Sequence, residues 1–384
     1  MLDKYYYKTK IRFQNLECPL ESVLPCGIDI GYSSIKVESP YNASIIPSLV
    51  RKVKDDNVFR YDKDDIRYIS DKGAVWYVGS LAKKTLLKGS TSVKQSTMLG
   101  RQRVQSEEFL IQIQVALFFS RLKALTDTGY ELDENPMQIQ TGLPPEFFTQ
   151  DTGSLIKRFS GSHSFGMKIG KRPWITVNFE IAESQVHVCK QPFGTLMSCV
   201  IDNKGKMINE HLLKKDILIV DGGFHTIDTF HLIQGAIEGD SITWENFAMQ
   251  EVYQRTCQDI LKQTKNNADI SVYNLEKLLD QGVVHYGARK ESYDFSTDFY
   301  KNLKGVCLDF VNELMAAYNS MANVDIIVLT GGTGLAWETI FKEQFAGMGG
   351  LEIIVAGNGK SAARANVQGY YNLLMTGLLP NGRR

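Results

Sequence analysis

The chain has 384 residues and carries 43 basic and 43 acidic side chains, so its formal net charge is zero. This balance provides no overall basic field that would hold nucleic acid directly. Apolar residues make up 43% of the sequence, enough for a large core and for two or three domains. No stretch approaches the roughly 18 apolar residues of a membrane span, and the polar N-terminus has no signal-peptide core. The six cysteines form no CxxC pair, which argues against zinc and a disulfide framework. We therefore expect a soluble, cytoplasmic α/β protein.

A first strand–turn–strand motif follows an N-terminal extension. Residues 1–23 show no hydrophobic period apart from one short strand expected at 10–13. Residues 24–30 predict a buried strand that includes Asp29, and the chain returns as a strand at 35–38. The turn between these strands consists of Gly31, Tyr32, Ser33 and Ser34, and Lys36 adds a positive charge just beyond it.

The segment after this motif predicts mixed structure. Residues 40–100 predict an insertion with its own small sheet, built on a hairpin at 67–79. Ser106 is the expected N-cap of a helix that reaches about Leu125, and Gly129 is expected to stop it. The elements expected next are a strand at 137–141, a loop at 142–145, a helix at 149–160 and antiparallel strands at 162–188, which Glu183 interrupts.

A second motif of the same kind lies roughly 190 residues after the first. Apolar residues 217–220 run into Asp221, two glycines and a polar turn, and a second strand extends to Phe230. The turn residues are Gly222, Gly223, Phe224, His225 and Thr226. Adjacent glycines let an anion approach the backbone, and a buried strand-end carboxylate costs free energy unless something uses it. An ordinary hairpin capped by Asp221 is the alternative, but the repetition favours a phosphate and metal site.

A third strand–glycine junction lies near the C-terminus. A strand at 324–330 is followed by Gly331, Gly332, Thr333 and Gly334, and a helix is expected from Leu335. The other elements expected in this part are helices at 244–262 and 274–279, a long helix from Phe299, a strand at 351–355 and a terminal helix at 360–376. A P-loop would need glycine where Ile354 stands, and a dinucleotide fingerprint would need glycine where Trp337 stands.

The three junctions point to one kind of ligand. Asp29 and Asp221 suit a hydrated Mg²⁺, which keeps its waters and takes few carboxylates. Ser33, Ser34, Thr226 and the glycine amides can donate to phosphate oxygens. The glycines at 331–334 open a helix, whose N-terminus favours phosphate.

In this order and spacing, the motifs resemble those of the actin-like ATPase superfamily. Residues 27–36 look like its first phosphate motif, 221–228 like its second and 330–335 like its adenosine motif. The strand end at 142–145 and the stretch 366–369 resemble the ParM-type actins, bacterial filaments that segregate plasmids. The resemblance covers residue 24 to the C-terminus, and the turn at Phe224 and His225 departs from the usual small hydroxyl residues.

The resemblance implies an α/β fold of the actin and ribonuclease-H type, with two lobes and the nucleotide in the cleft between them. Lobe I would span 24–212 with an insertion at 40–100, and lobe II would span 213–350 with an insertion at 240–292. Residues 351–384 would pack back on lobe I as a strand and a helix. The implied function is a filament-forming, Mg²⁺-dependent ATPase that drives plasmid segregation through a separate DNA-binding adaptor of ParR type. GTP is an open alternative to ATP.

The resemblance also assigns roles by position. Asp221 would orient the attacking water and hold Mg²⁺ through water, Asp29 would share the metal, and Glu183 would be catalytic. Three alternatives stay open: Glu183 as a solvated loop residue, His225 as a general base or as a turn residue, and Lys277 as a purine contact or as a solvated lysine. A small-molecule kinase of the same superfamily is the alternative function.

Overall fold

A computed structural model describes residues 8–18, 20, 22–54, 60–85, 101–237, 241–288, 290–359 and 362–378. Within these residues the chain forms two compact units. The first unit contains residues 8–208 and 366–378, and the second contains residues 209–365. Within the described ranges, the chain passes from one unit to the other after Ile208 and after Ala365.

The first unit is built on two five-stranded sheets. The strands of this unit are β1 (Leu24–Ile30), β2 (Ser34–Glu38), β3 (Ile45–Pro47), β4 (Val50–Val53), β5 (Ile66–Ser70), β6 (Val75–Val78), β7 (Leu122–Leu125), β8 (Tyr130–Leu132), β9 (Met137–Leu143), β10 (Gly161–Ile169), β11 (Ile175–Ile181) and β12 (Val186–Lys190). The main sheet has the order β12–β9–β1–β2–β3, and the smaller sheet has the order β11–β10–β5–β6–β4.

The first helix of the first unit packs on the smaller sheet, and the other helices pack on the main sheet. These helices are α1 (Ser80–Lys84), α2 (Glu107–Arg121), α3 (Pro145–Phe159), α4 (Gln191–Val200) and the C-terminal helix, Ala365–Leu378. Ser106 caps α2 as predicted, since its side chain accepts a hydrogen bond from the Phe109 amide. The predicted extension of this helix to Leu125 was wrong, because residues 122–125 pair with β8 as a hairpin, and Gly129 lies in the turn of that hairpin.

The smaller sheet draws on more of the chain than the sequence indicated. Its hairpin β5–β6 forms as predicted, but β10 and β11 complete the sheet from outside the predicted 40–100 insertion. Residues 55–59 and 86–100 of that insertion lie outside the described residues. Strand β12 pairs parallel with β9, so the expectation of antiparallel pairing up to Val188 was wrong for this strand.

The second unit is built on a six-stranded sheet. The strands β13 (Asp216–Gly222), β14 (Thr226–Ile233), β15 (Ala236–Ile237), β16 (Ile242–Glu245), β19 (Ile326–Thr330) and β20 (Glu352–Val355) form it, and β17 (Val283–Tyr286) pairs with β18 (Glu291–Asp294) apart from it. Strand β13 lies between its antiparallel partner β14 and the parallel strand β19. Burial on both faces explains its continuous apolar run.

The helices of the second unit, with the C-terminal helix of the first, are α5 (Met249–Gln263), α6 (Val272–Leu278), α7 (Ser296–Ala317), α8 (Gly331–Phe345) and α9 (Ala365–Leu378). Helix α5 begins later than predicted, because Trp244 lies in β16, which pairs with β14. Helix α8 begins at Gly331 and not at Leu335, so the glycines form its first turn. No helix in the described parts of the chain is long and apolar enough to cross a membrane.

The last strand and the last helix lie in different units. Strand β20 pairs in parallel with β19 of the second unit, whereas α9 belongs to the first unit. Helix α9 crosses α4 so closely that a Cβ on Gly369 would lie 1.7 Å from the Gly194 carbonyl oxygen. Only glycine permits two backbones to approach to this distance.

The N-terminal extension lies along the outer edge of the main sheet. The strand expected at 10–13 appears as two isolated antiparallel pairs, in which Lys10 pairs with Ile45 and Phe13 with Asn42. Thr9 and Ser80 also exchange hydrogen bonds between their amides and hydroxyls, at 2.7 and 3.1 Å. The described part of the extension therefore covers an edge that would otherwise expose unpaired backbone groups.

The crossing of α9 over α4 makes a stability prediction. Gly369→Ala should destabilise the protein by about 1–3 kcal/mol or more, because the added methyl group must push the helices apart. Gly377→Ala on the same helix is the matched control, since a Cβ there meets nothing within 4 Å. It should stabilise the helix by about 0.5–1 kcal/mol. Thermal unfolding of both variants measures the difference, and equal melting temperatures for Gly369→Ala and wild type would refute the close crossing.

Candidate functional site

Two hairpin turns, one in each unit, have the same construction. Strands β1 and β2 are joined at 31–33, and the Gly31 amide donates to the Ser34 carbonyl at 3.0 Å. Strands β13 and β14 are joined at 223–225, and the Gly223 amide donates to the Thr226 carbonyl at 2.9 Å. An aspartate precedes each donor glycine by two positions, and in both turns the accepting backbone carbonyl belongs to a residue with a hydroxyl side chain. The repeated sequence motif is therefore also a repeated structure.

In each turn the glycine carbonyl is held by a hydroxyl from elsewhere in the same unit. Ser48 Oγ donates to the Gly31 carbonyl at 2.7 Å, and Thr333 Oγ1 donates to the Gly223 carbonyl at 2.5 Å. A trans peptide points its C=O and the following N–H in opposite directions. The amides that follow these carbonyls, those of Tyr32 and Phe224, therefore point away from the hydroxyls.

The first turn carries a buried ion pair and an unsatisfied hydroxyl. Asp29 is only 4% exposed, and the Lys36 ammonium lies 2.9 Å from its Oδ2. The two residues face each other across the β1–β2 ladder. Ser34 Oγ is fully buried and has no hydrogen-bond partner among the described residues. An orphaned buried hydroxyl costs about 1–3 kcal/mol, so a ligand oxygen that satisfied it would be favoured.

The second turn packs directly on the first turn of α8. A Cβ on Gly331 would lie 2.3 Å from the Gly222 carbonyl oxygen and 2.9 Å from Asp221 Oδ1, and the φ of Gly331 is +76°. Both the space and the backbone conformation therefore require glycine at this position. The structure thus brings residues 221–223 together with residues 331–334, as an approach to a common ligand requires.

Helix α5 contacts Phe224 and His225, the two residues at which this turn departs from the small hydroxyl residues usual in the actin-like motif. The backbone N–H of Gln250 donates to the Phe224 carbonyl at 2.9 Å. The Phe224 ring packs edge-on against the Tyr253 ring, with centroids 5.3 Å apart. His225 Nδ1 is hydrogen-bonded to Gln250 Oε1. Because the Phe224 carbonyl points toward α5, the His225 amide points the other way. The two large side chains fix the turn and leave its amides for a ligand.

The environment of His225 also changes its protonation. Burial lowers the pKa of the imidazole below its usual value, and the hydrogen bond to Gln250 partly opposes this shift. The sequence suggested a turn residue that caps a backbone carbonyl as the alternative to a general base. The described partner is the Gln250 side chain, so His225 is tied to the helix that holds its turn.

Two other predicted site residues have different surroundings. Glu183 begins a single 3-10 turn, Glu183–Gln185, between β11 and β12, and its side chain is exposed. Gln185 fixes this turn by donating to the Met137 carbonyl at 2.8 Å. Lys277 lies in α6, but its side chain lies outside the described part of the chain.

The predicted residues therefore form two groups. Asp29, Gly31, Tyr32, Ser33, Ser34 and Lys36 lie together in the first unit, and Asp221, Gly222, Gly223, Phe224, His225, Thr226, Gly331, Gly332, Thr333 and Gly334 lie together in the second. Sequence reasoning missed Ser48 and Gln250, the partners that hold the turns. Neither residue stands in a local pattern, because each acts across at least 17 positions of the chain.

The carboxylates do not form a complete metal cage. Among the described residues, no group of three or more His, Cys, Asp or Glu side chains is placed to hold a metal ion. Asp29 is already partly neutralised by Lys36. Each turn places one aspartate at a strand end, and Mg²⁺, which keeps most of its waters, needs only one or two protein carboxylates.

The shifted pKa of His225 makes a stability prediction. Because the folded-state pKa is lowered, the unfolded chain binds more protons as the pH falls below about 6.5, and folding stability decreases there. His225→Gln should remove part of this loss, whereas His285→Gln at an exposed position should leave it unchanged. Urea unfolding between about pH 5 and pH 8, the range in which histidine titrates, measures the pH dependence of stability for both variants. The assignment fails if His225→Gln retains the full wild-type pH dependence.

Comparisons with known proteins support the fold described above. Residues 27–194 match a family model described as the N-terminal domain of actin-like proteins. A subunit of a 15-stranded ParM filament from Clostridium botulinum is 20% identical, with 91% of this chain and 99% of that chain covered and a TM-score of 0.65. ParM of Bacillus thuringiensis with AMPPNP is 14% identical over 94% of this chain and 100% of that chain, with a TM-score of 0.63.

An archaeal actin homologue, Ta0583, is 15% identical over 92% of this chain and 100% of that chain, with a TM-score of 0.67. Among curated protein sequences none matches significantly. At these identities the solved structures establish the fold alone. The predicted resemblance is confirmed: this chain has the α/β fold of these actin-like proteins, and its residues 27–194 match the model of an actin-like N-terminal domain.

Proposed function

We propose that the chain is a nucleoside triphosphatase that polymerises with nucleotide bound and depolymerises after hydrolysis. The observation that carries this proposal is the pair of identically built turns, each of which directs backbone amides away from the protein groups that hold its carbonyls. Backbone amides in such turns are well suited to phosphate oxygens. An actin-like fold with a relative that contains AMPPNP, an ATP analogue, supports the same ligand class.

In the first unit, the amide of Tyr32 and the hydroxyls of Ser33 and Ser34 would donate to the phosphates. Ser34 offers the sharpest fit, because its buried hydroxyl has no protein partner in the described chain. Lys36 would supply positive charge, although Asp29 now shares it. The negatively charged phosphates would attract this ammonium and accept a hydrogen bond from it.

In the second unit, the amides of Phe224 and His225 would donate from the second turn. The first turn of α8 lies against this site, and a helix N-terminus offers unpaired amides and a favourable dipole. The glycines there would let a nucleoside approach the backbone closely. Lys277, on α6, is proposed as a contact to the base.

Asp29 and Asp221 would hold Mg²⁺ through its waters, and the ion would neutralise charge on the phosphates. Asp221 would also accept a hydrogen bond from the attacking water, and Glu183 is proposed to align that water. Phosphoryl transfer depends mainly on positioning and charge neutralisation, so few protein groups are needed. ATP is the proposed nucleotide and GTP the alternative.

The proposed biological role is plasmid segregation in the cytoplasm by a filament of this chain. The comparison with a 15-stranded ParM filament supports self-assembly as the mode of action. The net charge of zero gives the chain no general affinity for DNA. We therefore propose that a separate adaptor of ParR type, and not the filament itself, contacts the plasmid.

Light scattering and phosphate release test this function together. With Mg·ATP or Mg·GTP and micromolar protein, scattering should rise, phosphate should follow with a delay, and electron micrographs should show filaments. EDTA should abolish all three. No polymer with either nucleotide would overturn the proposal, and phosphate transfer that required an added small-molecule acceptor would favour the kinase alternative.

The same assay tests the catalytic assignment with a matched pair of variants. Glu183→Gln should slow phosphate release by about 10²-fold or more, since a positioned carboxylate contributes on this order, and should prolong the life of the polymer. Glu180→Gln, at an exposed position of the neighbouring strand β11, should behave as wild type. Equal phosphate release from the two variants would remove Glu183 from the mechanism.

A further inference from the structure

We propose that Arg103 is a positioning residue that holds the first turn in its phosphate-binding conformation from the side opposite to the phosphate-binding amides. This inference rests on the proposed function, since it assigns a role in the same nucleotide site. Arg103 lies in a short 3-10 helix, Arg101–Gln105, immediately before the N-cap of α2. Neither the turn motif nor the capping pattern in the sequence points to it.

The guanidinium contacts the turn through its backbone and its aromatic residue. Arg103 Nη2 donates to the Ile30 carbonyl at 2.7 Å and to the Gly31 carbonyl at 3.0 Å. Its guanidinium also lies over the Tyr32 ring, 4.8 Å from the centroid, and over the Phe109 ring at 5.0 Å. The charged group thus contacts two aromatic rings and donates to two consecutive carbonyls.

These hydrogen bonds determine where the amides of the turn point. Because each peptide is planar and trans, a carbonyl held on one side turns the next amide to the other side. The Gly31 carbonyl accepts from both Arg103 and Ser48 Oγ, so the Tyr32 amide is turned away from both. The cation also lies behind the turn, where its field favours an anion in front of it.

Ser48 and Gln112 extend this support into a network. The Ser48 amide donates to the Ser33 carbonyl at 3.0 Å, which turns the Ser34 amide away from Ser48. Gln112 Nε2 donates to the Ser48 carbonyl, and Gln112 Oε1 lies 3.4 Å from Arg103 Nη2. The carbonyls of Ile30, Gly31 and Ser33 are thereby held by one connected set of groups, which are the Arg103 guanidinium and the hydroxyl and backbone amide of Ser48.

The geometry requires arginine in particular. A guanidinium is planar, stacks on aromatic faces and stays charged when partly desolvated, whereas an ammonium does none of these as well. Burial lowers the pKa of Arg103 to about 10, which still leaves the group charged at neutral pH. A lysine at this position could keep the charge but not the stacked, doubly donating arrangement.

A matched pair of arginine variants tests the proposal. Arg121 also donates to a backbone carbonyl, that of Asp133 at 2.6 Å, and stacks 5.0 Å from the centroid of Phe179, but it lies at the other end of α2. The dissociation constants of fluorescent ATP and GTP analogues with Mg²⁺, together with melting temperatures, are measured for the full-length protein. Arg103→Lys should weaken binding roughly tenfold, as the loss of one charge-assisted hydrogen bond does. Arg121→Lys should lower only the melting temperature.

Chemical rescue separates positioning from a merely structural role. In Arg103→Ala, added methylguanidinium should restore part of the nucleotide affinity, and it should have no effect on affinity in Arg121→Ala. If Arg103→Ala does not fold, Ser48→Ala, which removes one hydrogen bond to Gly31 without removing a charge, should weaken binding instead. Nucleotide affinity of Arg103→Lys equal to that of Arg121→Lys would overturn this inference alone. Absence of binding by wild type would overturn the proposed function and this inference with it.

Discussion

The candidate site depends on how the glycine carbonyl of each turn is held. A hairpin turn can rotate its peptides at little cost, so glycine by itself does not determine which way the amides face. Here Ser48 fixes the carbonyl of Gly31, and Thr333 fixes that of Gly223. Each hydroxyl belongs to a different element from the turn that it holds. The folding of each unit therefore prepares its turn before any ligand binds, which lowers the cost of ordering on binding.

The two turns share this principle but differ in charge. Opposite Asp29 the first turn has Lys36, whereas opposite Asp221 the second turn has Asp228. The first turn is therefore balanced and is backed by Arg103, while the second places two carboxylates on facing strands. This difference suits the proposed division of labour, in which the first unit supplies positive charge to the phosphates and the second supplies the carboxylate that positions water.

Close backbone packing explains why glycine recurs where it does. Gly331 lies against Gly222 and Asp221, and Gly369 lies against Gly194. The first contact joins the second turn to helix α8, and the second seats the C-terminal helix on the first unit. A side chain at Gly331 would separate the second turn from α8, and one at Gly369 would separate α9 from α4, so these glycines act through packing as well as through flexibility.

The sequence predicted the fold through features that are local in the chain. Apolar strands that end in aspartate and glycine carry a strong pattern, and so does the capped helix that begins after Ser106. Helix ends were less predictable, since Leu122 continues an apolar period but pairs in a hairpin, and Trp244 resembles a helix start but lies in a strand. Arg103, Ser48 and Gln250 could not be recognised, because their contacts form only when distant segments meet.

The proposed function requires each of the two turns to bind nucleotide phosphate. Hydrogen exchange of the wild-type chain, with and without Mg²⁺ and a non-hydrolysable ATP or GTP analogue, tests it most directly. The protein is kept below the concentration at which light scattering rises, so that assembly cannot cause protection. We expect slower exchange in peptides that cover 29–36, 221–228 and 331–334. Saturating nucleotide that protects only one turn, or neither, would contradict the account.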